Sequence, residues 1–159
     1  MSDERLQREI ITTFAEAYQN LGYSSLMGKI VALLLISEEP LSLDEISEKL
    51  EMSKGPVSQI TRRLKDHQLI ERVWVPGDRK DFYRASDDMF GGAFRNYVSS
   101  MKRNKQIAEK FIVEAEAANS AEFLKDRMKE MQAFYELMEK HNKLFIEEWI
   151  KLHESYKRK

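Results

Sequence analysis

Cysteine is absent from all 159 residues. Its absence excludes disulfides, thiolate metal ligands and cysteine nucleophiles, and fits a reducing compartment. Histidine is scarce: His67, His141 and His153 are the only three, and none belongs to an E-x-x-H or H-x-x-x-H pair. The two-ligand spacing of a helical metal site is therefore missing. G-x-S-x-G, a Walker A loop and G-x-G-x-x-G are missing too. No catalytic residue, cofactor or metal is expected. The longest apolar run, Ile30 to Ile36, falls far short of the ~20 residues that span a bilayer. The N-terminal "MSDERLQREI" is charged from its third residue and has no apolar signal-peptide core. These absences predict a soluble cytoplasmic chain with no membrane partner. A formal net charge of -1 gives no global pull toward nucleic acid, so any electrostatic recognition must be local.

Proline occurs three times, each where an element stops or starts. Leu6, Ile10, Phe14, Ala17 and Leu21 recur at helical steps and predict an amphipathic first helix ended by Gly22. Leu26, Ile30, Leu33 and Leu34 predict a more buried second helix that stops near Glu39, because Pro40 forces its predecessor out of helical geometry. Ser42 and Glu45 form an S-x-x-E capping box for a third helix with Leu43, Ile46 and Leu50 inward. Only a few residues later a fourth helix begins in "SKGPVSQITRR". Ser53 is its predicted N-cap, and Pro56 costs little in a first turn. That is helix-turn-helix spacing. On the fourth helix Val57, Ile60 and Leu64 share one side. Gly55, Ser58, Gln59 and Arg62 point the other way, flanked by Lys54 and Arg63.

The next stretch, "HQLIERVWVPGDRKDFYRA", has two β-rich runs around Pro76-Gly77-Asp78 and predicts a hairpin. From Lys49 to Arg84 there are nine Lys and Arg against five Asp and Glu, so this segment is net +4 in a chain that is net -1. Beyond it Phe90, Phe94, Tyr97, Met101, Asn104, Ala108, Phe111, Ala115 and Ala118 form a heptad seam, interrupted at Asn119-Ser120. A second seam runs Leu124, Met128, Met131, Tyr135, Met138, Asn142, Phe145, Trp149, Leu152, Tyr156. Phe134, Leu137 and Leu144 add another apolar stripe, which predicts more than one neighbour for the last helix. At about 50 Å that helix is too long for so small a domain to bury. The "SYKRK" tail is expected to fray.

The expected fold is mainly α with a small β-hairpin wing: a winged helix-turn-helix followed by a long C-terminal helical hairpin that forms a dimer. Residues 1–24 are the N-terminal helix joining the dimerisation region, 25–88 the winged helix-turn-helix, and 89–159 the long helical region. Leu124, Met128, Met131, Tyr135, Met138, Phe145, Trp149 and Leu152 are the dimerisation candidates. A helix fits the major groove, and Gln, Ser and Arg can bond to base edges. Gln59 and Arg62 lead as base readers, followed by Ser58 and Lys54. Arg63, Arg72, Arg79 and Lys80 suit phosphate or minor-groove contact, and Ser53 completes the DNA-binding set. The competing reading is a scaffold whose winged helix and coiled coil assemble proteins without reading DNA.

Several residues admit blander roles. Asp78 either caps the turn or orients Arg79, with the turn favoured. Trp74, Phe82 and Tyr83 are expected to pack across the hairpin. Asn104 and Asn142 either fix register or face solvent. His67 is a helix C-terminal residue favoured by the dipole. Phe90, Phe94, Tyr97, Tyr135 and Trp149 suit a core or dimer seam better than an effector pocket.

The stretches "EPLSLDEI", "MSKGPVS" and "VWVPGDRKDFY", with the wing's Gly77-Asp78-Arg79-Lys80, resemble the GbsR branch of the MarR-type transcriptional regulators over roughly residues 26–90. The resemblance implies a winged-helix homodimer that binds double-stranded DNA at pseudo-palindromic operators. Such proteins are usually repressors and often under small-molecule control; some relatives respond to choline. No motif in the terminal helices matches, so no effector residues are carried over. Glu51 stands where many relatives have Gly; if it is left-handed, the turn carries ~1 kcal/mol of strain.

Overall fold

The computed structural model describes residues 3–157 and divides into two compact units, residues 1–89 and 90–159. In the first unit, α1 (Asp3–Asn20) and α2 (Ser25–Ile36) precede β1 (Leu41–Ser42), α3 (Leu43–Lys49), α4 (Lys54–Asp66), β2 (Ile70–Val73) and β3 (Phe82–Ala85). The three strands form one antiparallel sheet in the order β1-β3-β2, with Leu41 opposite Tyr83 and Arg72 opposite Tyr83 on its other side.

Local chemistry sets most of the boundaries. Ser24 caps α2 by accepting the Met27 N–H at 3.2 Å. The predicted capping box on α3 is complete: Glu45 N–H donates to Ser42 Oγ at 3.3 Å, and Ser42 N–H donates to Glu45 Oε2 at 2.7 Å. Hydrogen bonding from Ser42 holds the Glu45 carboxyl below its ordinary range. Helices α1, α3 and α4 end alike. After α3, Glu51 N–H reaches Glu48 O at 3.1 Å and Met52 N–H reaches Ser47 O at 2.9 Å, the paired bonds of a Schellman cap. Gly22 (φ 82°), Glu51 (φ 53°) and Gln68 (φ 59°) hold the left-handed positions of those three caps.

The core of this unit gathers Ile30, Val31 and Leu34 of α2, Ile46 of α3, Val57 and Leu64 of α4 and Ile70 of β2. Each such side chain contributes about 1.5–3 kcal/mol when fully buried. The inner face of α1 differs from the predicted one. Ala15 is buried and Ile11, Phe14 and Tyr18 pack on the core, while Ala17 is exposed and Leu6 and Leu21 stay 42% and 71% exposed. Gly28 explains the shift. A Cβ there would run into the Phe14 carbonyl and lie 2.9 Å from Ala15 Cα, so the two backbones touch at that point and select the stripe around it.

The second unit contains α5 (Met89–Ala117), whose first residue belongs to the first unit's core, and α6 (Glu122–Lys157). Asn119 (φ 50°) takes the left-handed position between them, with Ser120 N–H bonded to Ala115 O at 2.9 Å. The helices meet through side chains. Phe94 and Phe145 have ring centroids 4.4 Å apart, and Asn104 Nδ2 donates to Tyr135 Oη at 3.1 Å. Asn104 therefore has its polar partner within the chain. Asn142 lines a void of about 40 Å³ beside Lys105, Tyr135 and Glu139. The expected fraying is not seen at Ser155, Tyr156 and Lys157, which continue α6; Arg158 and Lys159 lie outside the described residues.

Candidate nucleic-acid interface

Helix α4 separates its faces sharply. Val57 and Leu64 are 0% exposed and Thr61 1%, whereas Ser53, Lys54, Gly55, Gln59, Arg62 and Arg63 are exposed and Ser58 is half-buried. Thr61 joins the inner row, and Ile60, half-buried, packs against the core beside it as expected. Ser53 is the N-cap by backbone geometry, but its side chain makes no capping bond and leaves its hydroxyl to other partners. A Cβ on Gly55 would meet nothing within 4 Å, so the helix start is open to an approaching surface.

The basic candidates fall into two groups. Among the described residues Arg62, Arg63 and Arg79 are held by no ion pair. Lys54, Lys80 and Arg72 are held by acids that sequence reasoning did not single out. Asp44 Oδ1 lies 2.7 Å from Lys54 Nζ and Asp44 Oδ2 lies 3.5 Å from Lys80 Nζ. The Lys54 hydrogen bond, with the charges of both lysines, keeps the Asp44 carboxyl below the usual carboxylate range. Arg72 Nε sits 3.0 Å from Asp81 Oδ1. Asp44 is the second residue of α3, where an acid also complements the helix dipole.

The wing leaves β2 at Val73, paired with Phe82, and returns through Pro76-Gly77. Asp78 N–H donates to Val75 O at 3.2 Å with Gly77 at φ 86°, the requirement of a type II turn. Asp78 Oδ1 accepts the Lys80 N–H at 2.9 Å, so the acid at the tip organises the turn, as favoured from sequence. Of the three hairpin aromatics expected to pack, Tyr83 is buried and Phe82 half-buried, but Trp74 is 77% exposed. Trp74 lies one residue past the last strand pair, where the ladder no longer sets a cross-strand neighbour for it. Burial pushes the Tyr83 hydroxyl up, while the nearby Arg72 and Arg62 pull it down. Among the described residues no cluster of three or more His, Asp or Glu is disposed to hold a metal, and no helix is long and apolar enough to cross a membrane.

The residues expected to join two chains serve at least partly within one. Tyr135 and Phe145 contact Asn104 and Phe94, and Leu124 and Met128 line a notch of about 440 Å³ with Phe111 and Ala115. Met131, Met138 and Trp149 are half-buried, and Leu124, Phe145 and Leu152 keep 45%, 50% and 52% exposure. The stripe beside them is more open: Phe123 is 73% exposed, Phe134 and Leu137 57% each, and Leu144 50%. Lys105 locks the hairpin electrostatically, 2.8 Å from Glu139 with Glu109 and Glu136 at 3.9 and 4.0 Å. The Glu139 hydrogen bond raises the Lys105 ammonium above its ordinary range and lowers Glu139.

Comparison with known proteins agrees with this geometry. A MarR family model matches residues 28–81, from α2 to the wing. The transcriptional repressor OpcR of Bacillus subtilis is 28% identical over 111 residues, covering 67% of this chain and 60% of OpcR. YvaV of the same organism, a putative HTH-type transcriptional regulator, is 31% identical over 87 residues, 55% of this chain and 49% of YvaV. The chain thus matches only about half to three-fifths of the length of these relatives. The repressor GbsR, also of Bacillus subtilis, is 24% identical over 152 residues, covering 86% of this chain and 84% of GbsR. A crystal structure of a transcriptional regulator shares the fold, with a TM-score of 0.78 at 22% identity over 91% of this chain and 98% of that one. The helix-turn-helix and the basic wing thus coincide with the segment, residues 28–81, over which the chain is similar to the MarR family.

Proposed function

We propose that the chain is a sequence-specific transcriptional regulator, a repressor that binds a pseudo-palindromic operator in double-stranded DNA as a homodimer in the cytoplasm. The observation that carries this reading is the division of α4. Its apolar row is fully used by the core, while Gln59, Arg62 and Arg63 project from an unobstructed face beside a basic wing. Gln59 and Arg62 have the chemistry to bond base edges in the major groove. Arg63 and Arg79 suit phosphates or the minor groove. The names of OpcR and GbsR, both repressors, support the sign of regulation. The exposed stripe Phe123, Phe134, Leu137 and Leu144 supports a second copy as partner of α6, with Leu124, Phe145 and Leu152 beside it. A dimer holding two copies of α4 about 34 Å apart would reach successive turns on one face of the duplex. An effector that prefers another spacing would weaken operator binding by its differential affinity.

The test is selection from a random duplex library at two salt concentrations, read by fluorescence anisotropy. Enrichment of a two-fold symmetric sequence is expected. Salt-sensitive binding without enrichment would replace the proposal with an architectural DNA binder, and no binding at low salt would replace it with a protein scaffold.

A further inference from the structure

We infer that Asp44 is an internal counter-ion that competes with DNA phosphates for Lys54 of α4 and Lys80 of the wing, and so lowers the affinity of this basic surface for DNA. The inference rests on the DNA-reading proposal above. Three elements converge on one carboxylate, which offers one oxygen to each ammonium: the start of α3, the first residue of α4 and the wing loop. An acid in the first turn of α3 needs no partner beyond its own helix dipole, so the dipole alone does not account for the two lysines. Lys54 occupies the opposite situation. A cation in the first turn of α4 is disfavoured by that helix's dipole, and Asp44 offsets the penalty.

The side chains of Lys54, Asp44 and Lys80 are 72%, 46% and 59% exposed. Ion pairs that exposed add little to folding stability, so their consequence lies in competition with ligands. A phosphate that takes either lysine must displace Asp44 and then face its uncompensated negative charge. That cost is met on any duplex whose phosphates take the lysines, so Asp44 lowers affinity for DNA as such. The groove between α3 and the wing, about 360 Å³, is lined by Asp44 and Asp81 as well as Arg79 and Lys80, and Asp81 pairs with Arg72 in the same manner. The basic surface thus carries its own anions.

The experiment compares full-length wild type with Asp44→Asn on the duplex selected by the wild type and on a scrambled duplex of equal length, across a salt series. Asp44→Asn should bind both duplexes more tightly, roughly 10-fold, by freeing two cations for phosphate contact. Its log-log salt slope should steepen by up to about 2, since each phosphate neutralised adds about 0.9. In a Lys54→Gln/Lys80→Gln background, Asp44→Asn should change affinity and slope far less; a mere folding defect would persist there. Unchanged affinity and slope in the single variant, or an effect that survives undiminished in the lysine-free background, overturns the inference alone. A wild type that binds no duplex overturns the DNA reading and this inference with it.

Discussion

Ile30, Ile46, Val57 and Leu64 of the first unit are 0% exposed, whereas α6 of the second runs for 36 residues without one buried side chain. Both units are rich in apolar residues, so the difference lies in what those residues face. Those of the first unit converge from four helices and a sheet on one interior. In the second, two helices can cover only one stripe of each other, and Phe123, Phe134, Leu137 and Leu144 are left in solvent. Burial is therefore concentrated in the winged helix, and under the proposed function the open stripe is where a second copy docks.

The largest expected effect breaks the first half of this comparison. Ile46→Ala should cost about 2–5 kcal/mol in denaturant unfolding, because it empties a closed site. Leu137→Ala in the monomer should cost far less; equal losses would erase the distinction. The second effect sharpens the other half. Phe134→Glu with Leu137→Glu should raise the dimer dissociation constant on the order of 100-fold in sedimentation equilibrium while helix content is kept. Unchanged dissociation would move the interface elsewhere on the hairpin. The smallest concerns a turn inside the stable unit. Glu51→Gly should raise stability by no more than about 1 kcal/mol, since relief of left-handed strain is partly cancelled by the entropy of an unfolded glycine. A loss of stability would mean that the Glu51 side chain contributes more than its backbone costs.

Features set by neighbours in sequence were legible. The Ser42-Glu45 box, the Pro76-Gly77-Asp78 turn and the polar face of α4 each depend on spacings of a few residues. Glu51 drew notice only because many proteins it resembles have Gly there, and its φ of 53° meets the left-handed condition on which strain was expected. Features set by distant packing were not legible. A helix such as α1 offers several nearly equivalent apolar stripes, and the choice among them fell to a backbone contact at Gly28. The Asp44 pairs join residues far apart in sequence, for which no periodicity exists. Trp74 matched an alternating strand pattern, but pairing stopped one residue before it. The heptad seam of α6 was visible, yet periodicity cannot say which chain supplies the facing helix; Asn104 and Phe94 show that part of the answer is the same chain.

The central claim, that the outer face of α4 reads base sequence, is tested most directly by Gln59→Ala with Arg62→Ala. Binding of this variant should be measured on the selected duplex and on a scrambled duplex at one salt concentration. The account predicts that preference for the selected duplex falls by at least about 10-fold while scrambled binding changes much less, since each good base contact discriminates by about 1–3 kcal/mol. A variant that keeps the wild-type preference would contradict it.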